Sequence, residues 1–309
     1  MSLSKLRIGT RGSPLALKQA HEVRNRLIEL NGLSESEIEI QTIKTSGDAI
    51  QDKTLREFGG KGLFTKEIET ALLDEKIDLA VHSMKDMPTE LPQNLEIPSI
   101  LPRADVRDAF LSLCANSLTD LPPGAVVGTS SLRRQAQVKK LRSDLKVVNF
   151  RGNVQTRLKK LEDKSVDATL LACAGLYRLG LEHKITGNIS TDHMLPAVAQ
   201  GAIGVEVRED NLQVKKLILP LNDSESALAV ASERAFLERL DGSCHTPIAG
   251  LAEIEGERLR FRGQILQPDG SASYETEKTG SLNEALQIGR NAANELLELA
   301  GPEFLKAFR

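Results

Sequence analysis

The sequence predicts an α/β protein with mainly parallel sheets, followed by a small α+β domain at its C-terminal end. Through the first two thirds of the 309 residues, short apolar segments alternate with helical patterns, which is typical of parallel sheets connected by helices. The last third instead carries consecutive strand patterns between two helical ones. A chain of this length is expected to form two or three domains.

The first strand and helix are indicated most clearly. Leu6–Thr10 is predicted to be a strand, and Ser13 with Pro14 forms a helix start in which a capping residue precedes a proline. Behind them, apolar side chains recur at three- and four-residue steps, which predicts an amphipathic helix. A second helix over 64–73 and a buried strand over 77–83 follow a glycine-rich loop.

After Arg107 the same alternation predicts a second sheet, with helices that begin near Ser131 and Asn153. The segment Leu195–Arg208 is expected to return the chain to the first sheet. The last third is expected to contain a helix over Ser224–Leu240, three strands and a closing helix. The predicted domains are domain 1 over residues 1–101 and 200–219, domain 2 over residues 105–196, and domain 3 over residues 222–309.

Composition and charge argue against several classes of protein. Aromatic residues make up 3% of the chain, there is no Trp, and the net charge is -3, so neither a nucleic-acid binder nor an anionic-membrane binder is indicated. No apolar stretch has the length of a membrane span, and no signal-peptide pattern is present. Three cysteines without framework spacing indicate a reducing compartment. We expect a cytoplasmic protein, or one of the plastid stroma if a transit peptide has been removed.

Basic side chains follow four of the predicted strands at their carboxyl ends, where α/β sheets bind ligands. One such pair of arginines would more often be a solvated surface feature. Four such ends favour a cleft for a polyanionic ligand, because arginine binds carboxylates and phosphates with a fork of donors. The residues at these ends are Arg11, Lys85, Asp86, Ser131, Arg133, Arg134, Arg151, Asn153 and Arg157.

At two of these strand ends, the sequence indicates a more specific role. Ser131 is predicted to cap a helix with Arg133 and Arg134 in its first turn, where cations oppose the helix dipole unless an anion also binds there. Asp86 allows two interpretations between which the sequence does not decide. It forms an ion pair with Lys85 or an arginine, or it is a carboxylate that stabilises a developing cation or handles a proton.

Cys244 differs from the other cysteines because it lies on a glycine-flanked loop next to His245. Cys114 and Cys173 lie in apolar runs and are expected to be buried. A Cys–His hydrolase pair or a zinc site is not favoured by the surrounding residues, and no metal site is expected. An incidental exposed thiol and a covalent attachment point stay open. The segment Gly59–Gly62 lacks the P-loop pattern and is expected to be a loop or lid.

Seven segments together resemble the motifs of the porphobilinogen deaminase (hydroxymethylbilane synthase) family, in the family's order. The resemblance spans roughly residues 5–252, and several of the motifs are long enough to be highly specific. The segments are "RIGTRGSPLAL", "GGKGLFTKEIE", "AVHSMKDMPT", "VVGTSSLRRQAQ", "FRGNVQTRLKKL", "LPAVAQGAIG" and "LDGSCHTPIAG".

The resemblance implies a transferase of tetrapyrrole biosynthesis that joins four porphobilinogen molecules head to tail into hydroxymethylbilane and releases ammonia. It implies a dipyrromethane cofactor, held by a thioether to Cys244, on which the product grows. It also implies two lobes like those of periplasmic binding proteins and a third domain that carries the cysteine. The expected partner is the small-molecule substrate, with neither nucleic acid nor membrane, and the expected state is a monomer.

The resemblance also implies roles for individual residues. Asp86 and Lys85 would be catalytic, with Asp86 holding the pyrrole N–H groups and stabilising the cationic azafulvene that forms when ammonia leaves. The cofactor would be bound by Cys244, Ser83, Ser131, Arg133, Arg134, Arg157 and Gln200. The substrate carboxylates would be bound by Arg11, Arg151 and Arg178. Two positions depart from the family pattern: Glu57 replaces a common lysine, which puts a basic contact from that loop in doubt, and Ser243 replaces a commoner glycine.

A two-lobed binding protein for a small anion is the main alternative. It would explain the paired lobes and the arginines but neither Asp86 nor Cys244, and a secreted carrier would need a signal peptide. A ligand-sensing regulator would bring a DNA-binding helix pair, whereas the N-terminal segment leads into a strand. A deaminase paralogue that binds the cofactor without turnover is separated from the enzyme only by an assay.

Overall fold

The computed structural model describes residues 5–46, 65–243, 246–301 and 304. The helices of these residues are α1 (Pro14–Asn31), α2 (Lys66–Leu73), α3 (Leu132–Leu141), α4 (Val154–Glu162), α5 (Cys173–Arg178), α6 (Leu212–Ile218), α7 (Ser224–Arg239) and α8 (Ala285–Ala300). The strands are β1 (Leu6–Arg11), β2 (Ile38–Ile43), β3 (Leu79–Ser83), β4 (Leu95–Ile100), β5 (Asp108–Ser112), β6 (Val126–Gly128), β7 (Lys146–Val148), β8 (Ala168–Ala172), β9 (Gly187–Ile189), β10 (Ile203–Arg208), β11 (Ile248–Glu255), β12 (Arg258–Leu266) and β13 (Ser273–Ser281).

The first sheet has the strand order β2-β1-β3-β10-β4. β1 pairs in parallel with β2 and β3, whereas β10 pairs antiparallel with β3 and β4. All of its described strands except β10 therefore run in one direction. The sheet belongs to a compact unit formed by Met1–Ala104 and Ala202–Ala227, which we call unit 1. The prediction that Leu195–Arg208 returns the chain to this sheet is confirmed, because β10 lies between β3 and β4.

The second sheet has the order β7-β6-β8-β5-β9. β6 pairs in parallel with β7 and β8, and β5 pairs antiparallel with β8 and β9, so β5 alone is reversed among the strands described for this sheet. It belongs to unit 2, formed by Asp105–Gly201 and Leu228–Arg309, which also holds the antiparallel sheet β11-β12-β13. The predicted fold class, with mainly parallel α/β sheets and an α+β C-terminal region, is confirmed. The boundaries of three separate domains remain a prediction.

Helix α1 shows how the sequence sets an element and its packing. Ser13 is the N-cap, its hydroxyl accepts from the Ala16 N–H at 3.3 Å, and Pro14 is the first helical residue, as predicted. Leu27 of this helix is fully buried in one cluster with Ile8 of β1. Burial of one such side chain contributes about 1.5–3 kcal/mol to stability.

Four elements escaped the sequence analysis: β4, β9, α5 and α6. β4 contains Pro98 and lies at the edge of the first sheet, where a proline within a strand is tolerated but hides the strand pattern. The other three are short, with β9 only three residues long. Short elements carry too few residues to show a period.

The expectation that Cys114 is buried is wrong. β5 ends at Ser112, and Cys114 lies in the irregular segment beyond it, where its side chain is exposed. The apolar run around Cys114 reflects the strand that precedes it rather than the position of the thiol. Cys173, at the start of α5, is buried as predicted. None of the helices in the described ranges is long and apolar enough to cross a membrane.

Candidate functional site

Two neighbouring parallel strands of unit 1 end in residues that the sequence analysis selected. Arg11 is the last residue of β1 and Ser83 is the last residue of β3. The chain then forms a single 3-10 turn, Met84–Asp86, so that Lys85 and Asp86 directly follow the strand. All four selected side chains are partly buried. The predicted strand-end placement is confirmed for this unit.

The turn that carries Asp86 is held by its buried methionine. The Met84 N–H donates to the Ala202 carbonyl at 3.0 Å, and the Met87 N–H donates to the Met84 carbonyl at 3.2 Å. The Met84 side chain is 2% exposed and occupies the space beside Gly204, where an added Cβ would lie 2.2 Å from Met84 Sδ. Gly204 therefore makes room for the residue that anchors the turn.

The hydroxyl of Ser83 is held by a side chain that the sequence analysis missed. Gln19 of α1 is buried, with 2.8 Å between its Nε2 and Ser83 Oγ. A signal was present, since Gln19 lies three residues after Ala16 and four before Val23 on the apolar side of the predicted helix. A polar residue within such a stripe needs a buried hydrogen-bond partner.

In unit 2 the predicted helix starts are confirmed. Ser131 is the N-cap of α3, and its hydroxyl accepts from the Arg134 N–H at 3.4 Å. Asn153 is the N-cap of α4, where its Oδ1 accepts from the Thr156 N–H at 2.9 Å. Both helices follow strands of the second sheet. Their first turns therefore lie at the carboxyl ends of β6 and β7, where α/β sheets bind ligands.

Arg133 and Arg134 are both buried and point to an acidic residue of the chain itself. Nη2 of Arg133 lies 2.8 Å from Oδ2 of Asp108, and Nη2 of Arg134 lies 2.8 Å from Oδ1 of the same carboxylate. The two arginines are therefore not a solvated surface pair, and they are not directed only at a ligand. Asp108 was missed, although an acidic residue at the head of the apolar run "DAFLSL" was a visible signal for a buried partner.

Gln200 completes the same cluster. Its Nε2 donates to Oδ1 of Asp108 at 2.9 Å and to the Val106 carbonyl at 2.8 Å. Burial alone would raise the pKa of Asp108, but the guanidiniums of Arg133 and Arg134 hold that pKa well below its ordinary value. The structure thus brings three of the predicted cofactor-binding side chains together on one ionised carboxylate.

The segment that carries Gln200 has an unusual backbone. Ala199 has a φ of 60°, in the left-handed region that costs a non-glycine residue free energy. The buried carboxylate of Glu233, on α7, accepts from the Ala199 N–H at 2.5 Å and from the Ala252 N–H at 2.8 Å. The first hydrogen bond holds the strained segment, and the second fixes the Glu233 carboxylate that accepts it.

The remaining predicted arginines of unit 2 lie on segments that follow β7 and β8, and each is partly buried. Arg157 donates through Nε to the Gly152 carbonyl at 2.9 Å, and Arg178 donates through Nη2 to the Gly201 carbonyl at 3.2 Å. Arg151 accepts at its carbonyl from Lys160 Nζ at 3.1 Å. These guanidinium contacts of Arg157 and Arg178 are to backbone carbonyls, whereas Arg133, Arg134 and Gln200 meet at Asp108.

Cys244 and His245 lie outside the described residues, as do Glu57 and the loop Gly59–Gly62. The flanking residues are hydrogen-bonded to each other: the Ser243 N–H donates to Thr246 Oγ1 at 2.9 Å, and that hydroxyl donates to the Ser243 carbonyl at 2.7 Å. Among the residues with described placement, no group of three or more His, Cys, Asp or Glu could hold a metal ion.

The fold and these side chains define the class: an α/β protein with arginine, lysine, serine and aspartate side chains at the carboxyl ends of its parallel strands, where such folds bind ligands. Comparison with known families is specific. Residues 6–216 match the family described as "Porphobilinogen deaminase, dipyromethane cofactor binding domain", and residues 227–298 match "Porphobilinogen deaminase, C-terminal domain". The chain belongs to the porphobilinogen deaminase family.

The similarity to individual proteins extends over nearly the whole chain. A porphobilinogen deaminase of Paracoccus denitrificans is 57% identical over 299 residues, which cover 97% of this chain and 96% of that protein. A porphobilinogen deaminase of Nitrobacter winogradskyi is 56% identical over 301 residues, covering 97% and 95%. Among solved structures, the methionine-binding protein MetQ is 14% identical with a TM-score of 0.46, covering 75% of this chain and 96% of that one.

Proposed function

We propose that this chain condenses four porphobilinogen molecules head to tail into hydroxymethylbilane, with release of four molecules of ammonia and uptake of one water for the terminal hydroxyl. It would act as a transferase of tetrapyrrole biosynthesis. The observation that carries this proposal is the family match over both parts of the chain, residues 6–216 and 227–298. Identity of 57% across 97% of the chain supports it further.

The residues present fit a dipyrromethane cofactor. Such a group carries several carboxylates, and the Nε atoms of Arg133 and Arg134 are buried with no hydrogen-bond partner, so they are donors that a ligand carboxylate could satisfy. When bound, the dipyrromethane supplies the pyrrole carbon to which the first substrate is joined. The residues proposed to hold it are Ser83, Ser131, Arg133, Arg134, Arg157 and Gln200, with a thioether to Cys244.

Asp86 is proposed as the catalytic carboxylate. It lies in the turn at the end of β3, whose backbone is fixed by Met84. From a fixed position, a carboxylate accepts hydrogen bonds from pyrrole N–H groups and stabilises the positive charge that develops on the substrate as ammonia leaves. Lys85, one residue earlier, supplies a positive charge for a pyrrole carboxylate beside that reacting centre.

Arg11, Arg151 and Arg178 are proposed to bind the acetate and propionate groups of the substrate. Each lies at or beyond the carboxyl end of a strand and is partly buried. Partial burial strengthens a guanidinium–carboxylate pair because less water competes for its donors. Three arginines in this setting suit a growing chain that gains carboxylates with each pyrrole unit added.

The proposal extends to partners and compartment. Porphobilinogen is the proposed small-molecule partner, and we infer a monomer that acts in the cytoplasm without nucleic acid or membrane. A net charge of -3 and an aromatic content of 3% support the absence of a nucleic-acid partner.

Turnover with defined stoichiometry tests the proposal. Purified protein is incubated with porphobilinogen, and ammonia and linear tetrapyrrole are both measured; one ammonia per substrate and one tetrapyrrole per four substrates are expected. Asp86→Asn should lower kcat by about 100-fold or more, the size of effect seen when an electrostatic catalytic group is removed. Asp74→Asn, a control at an exposed ion pair with Lys76, should leave kcat unchanged. Consumption of no porphobilinogen by the unsubstituted protein would contradict the proposal.

A further inference from the structure

The carboxylate of Asp108 is at the centre of the arginine cluster and is fully buried, with 0% exposure. Its Oδ2 accepts from Arg133, and its Oδ1 accepts from both Arg134 and Gln200, at 2.8, 2.8 and 2.9 Å. Both oxygens are therefore engaged. One side chain, which the proposed chemistry does not use, orients three side chains that are proposed to bind the cofactor.

Each guanidinium in the cluster has a second fixed contact. Nη1 of Arg133 donates to the Leu195 carbonyl at 2.7 Å, and Nη1 of Arg134 donates to the Leu170 carbonyl at 2.9 Å. With Nη2 of each on Asp108, two hydrogen bonds restrain the orientation of each guanidinium. The Nε–H of each is then a buried donor without a partner, which is costly for a protein to maintain.

The charges of the cluster do not cancel. Two guanidiniums and one carboxylate leave one positive charge in a region where all three residues are at most 6% exposed. Without Asp108, the two buried like charges would repel each other and lack a counter-ion, which is strongly unfavourable. With it, a single positive charge and the two buried Nε–H donors remain, which suit a carboxylate of a ligand.

We propose that Asp108 is a positioning residue of the anion site: it holds the guanidiniums of Arg133 and Arg134 in place before an anionic ligand arrives, and leaves one positive charge for that ligand. This inference rests on the proposed function, because it takes the two arginines to be cofactor-binding. Asp108 acts through the arginines and contacts neither substrate nor cofactor. The ligand and Asp108 are thus two counter-ions of one arginine pair, and their contributions to stability are coupled.

A thermal-stability cycle tests that coupling. Asp108→Asn is made in the full chain, with and without Cys244→Ser, which removes the proposed attachment thiol and gives an unloaded form. Intact mass verifies which forms carry the cofactor. Asp108→Asn should lower the Tm of the unloaded form more than that of the loaded form, so that the gap between them widens by about 3 °C or more. The reason is that ligand carboxylates supply part of the missing counter-charge.

Asp105→Asn is the matched control. Asp105 pairs with Arg107 close by in the chain, but that pair is partly exposed. Its loss should therefore lower the Tm of the loaded and unloaded forms equally and leave the difference between the two Tm values unchanged. An equal fall in both forms for Asp108→Asn would assign Asp108 a purely structural role and overturn the inference. Widening of the same size in the control would also overturn it.

Asp108→Glu covers the case in which Asp108→Asn yields no folded protein. It keeps the charge but displaces the carboxylate by one methylene, so the guanidiniums are held less well and the difference in Tm should again widen. An unchanged difference would contradict the inference.

Failure of the proposed function can be distinguished from failure of this inference. In that case the unsubstituted chain shows neither adduct mass nor turnover and the inference falls with it, whereas adduct present with an unchanged gap overturns the role of Asp108 alone.

Discussion

Gln19 and Ser83 form a hydrogen bond between α1 and the end of β3, with 2.8 Å between Nε2 and Oγ. Gln19 is buried while Ser83 is partly exposed, so the buried amide fixes the direction in which the hydroxyl points. A proposed ligand-binding group is thereby oriented by a side chain that need not contact the ligand.

Gln19→Leu keeps most of the side-chain volume and removes the hydrogen bond. A freely rotating Ser83 hydroxyl should bind less well, and we expect KM for porphobilinogen to rise by about three- to tenfold, the equivalent of one lost hydrogen bond. Gln287→Leu, on the exposed face of α8, should change nothing. Steady-state kinetics on both variants measures the effect, and an unchanged KM for Gln19→Leu would show that Ser83 needs no such support.

Gly204→Ala should disturb the turn that carries Asp86. The added Cβ would lie 2.2 Å from Met84 Sδ, and because Met84 is buried, its displacement must repack its neighbours and disturb the turn. We expect kcat to fall by about tenfold or more, since catalytic geometry is sensitive to displacements near 1 Å. The double variant Gly204→Ala with Met84→Ala, which relieves the overlap, should recover part of the loss.

Gly280→Ala is a control for general overpacking. Its Cβ would lie 2.8 Å from Ile288 Cδ1 in the sheet β11-β12-β13, so it should lower stability without lowering kcat. If Gly204→Ala and Gly280→Ala lower thermal stability while neither alters kcat, Gly204 has no role in placing Asp86.

Glu69 should make stability depend on pH in an identifiable direction. Burial raises the pKa of this carboxyl above its ordinary value, and the nearby Glu206 adds to the shift, although the Thr65 side chain opposes it. The folded state therefore keeps a proton that the unfolded chain has lost. Stability should fall as pH rises from the ordinary glutamate value through the raised one, and stay lower above it.

Glu69→Gln should remove that fall and stabilise the protein at neutral pH. Glu67 on the same helix is the control of opposite sign. Burial opposes the shift, but hydrogen bonds from Ser46 lower the pKa of Glu67. The Glu67→Gln variant should therefore be less stable than the unsubstituted protein at neutral pH, and this difference should disappear in acid. Denaturant unfolding across a pH series measures both. Parallel pH profiles for Glu69→Gln and the unsubstituted protein would refute the assignment.

The two described cysteines should differ in reactivity. Burial raises the pKa of Cys173 to about 12, so at mildly alkaline pH its thiolate is scarce and shielded, whereas Cys114 is exposed. Iodoacetamide should modify Cys114 in the folded protein and Cys173 only after denaturation, as peptide mass mapping would show. Modification of Cys173 at the rate of Cys114 would contradict the described burial.

The sequence predicted best what depends on local pattern. The strand ends at Arg11 and Ser83, the caps Ser13, Ser131 and Asn153, and the fold class all follow from periodicity and capping chemistry, which need only neighbouring residues. The motifs also led to the family. These parts of the account required no knowledge of which distant residues meet.

What the sequence could not give are pairings across the chain. Asp108 lies 25 and 26 residues before the two arginines that it holds, and Gln200 lies 92 residues after it. Gly204 and Met84 meet only because β10 returns to the first sheet. Such contacts depend on tertiary packing, so the arginines were expected to face a ligand without the internal carboxylate that fixes them.

The most direct test of the account is the intact mass of the purified protein beside that of Cys244→Ser. We expect the unsubstituted chain to exceed its sequence mass by two linked pyrrole units, the variant to match its sequence mass, and added porphobilinogen to give a ladder of single-pyrrole increments on the unsubstituted chain alone. An unmodified protein that gains no adduct on incubation with porphobilinogen would contradict both the covalent cofactor and the proposed reaction.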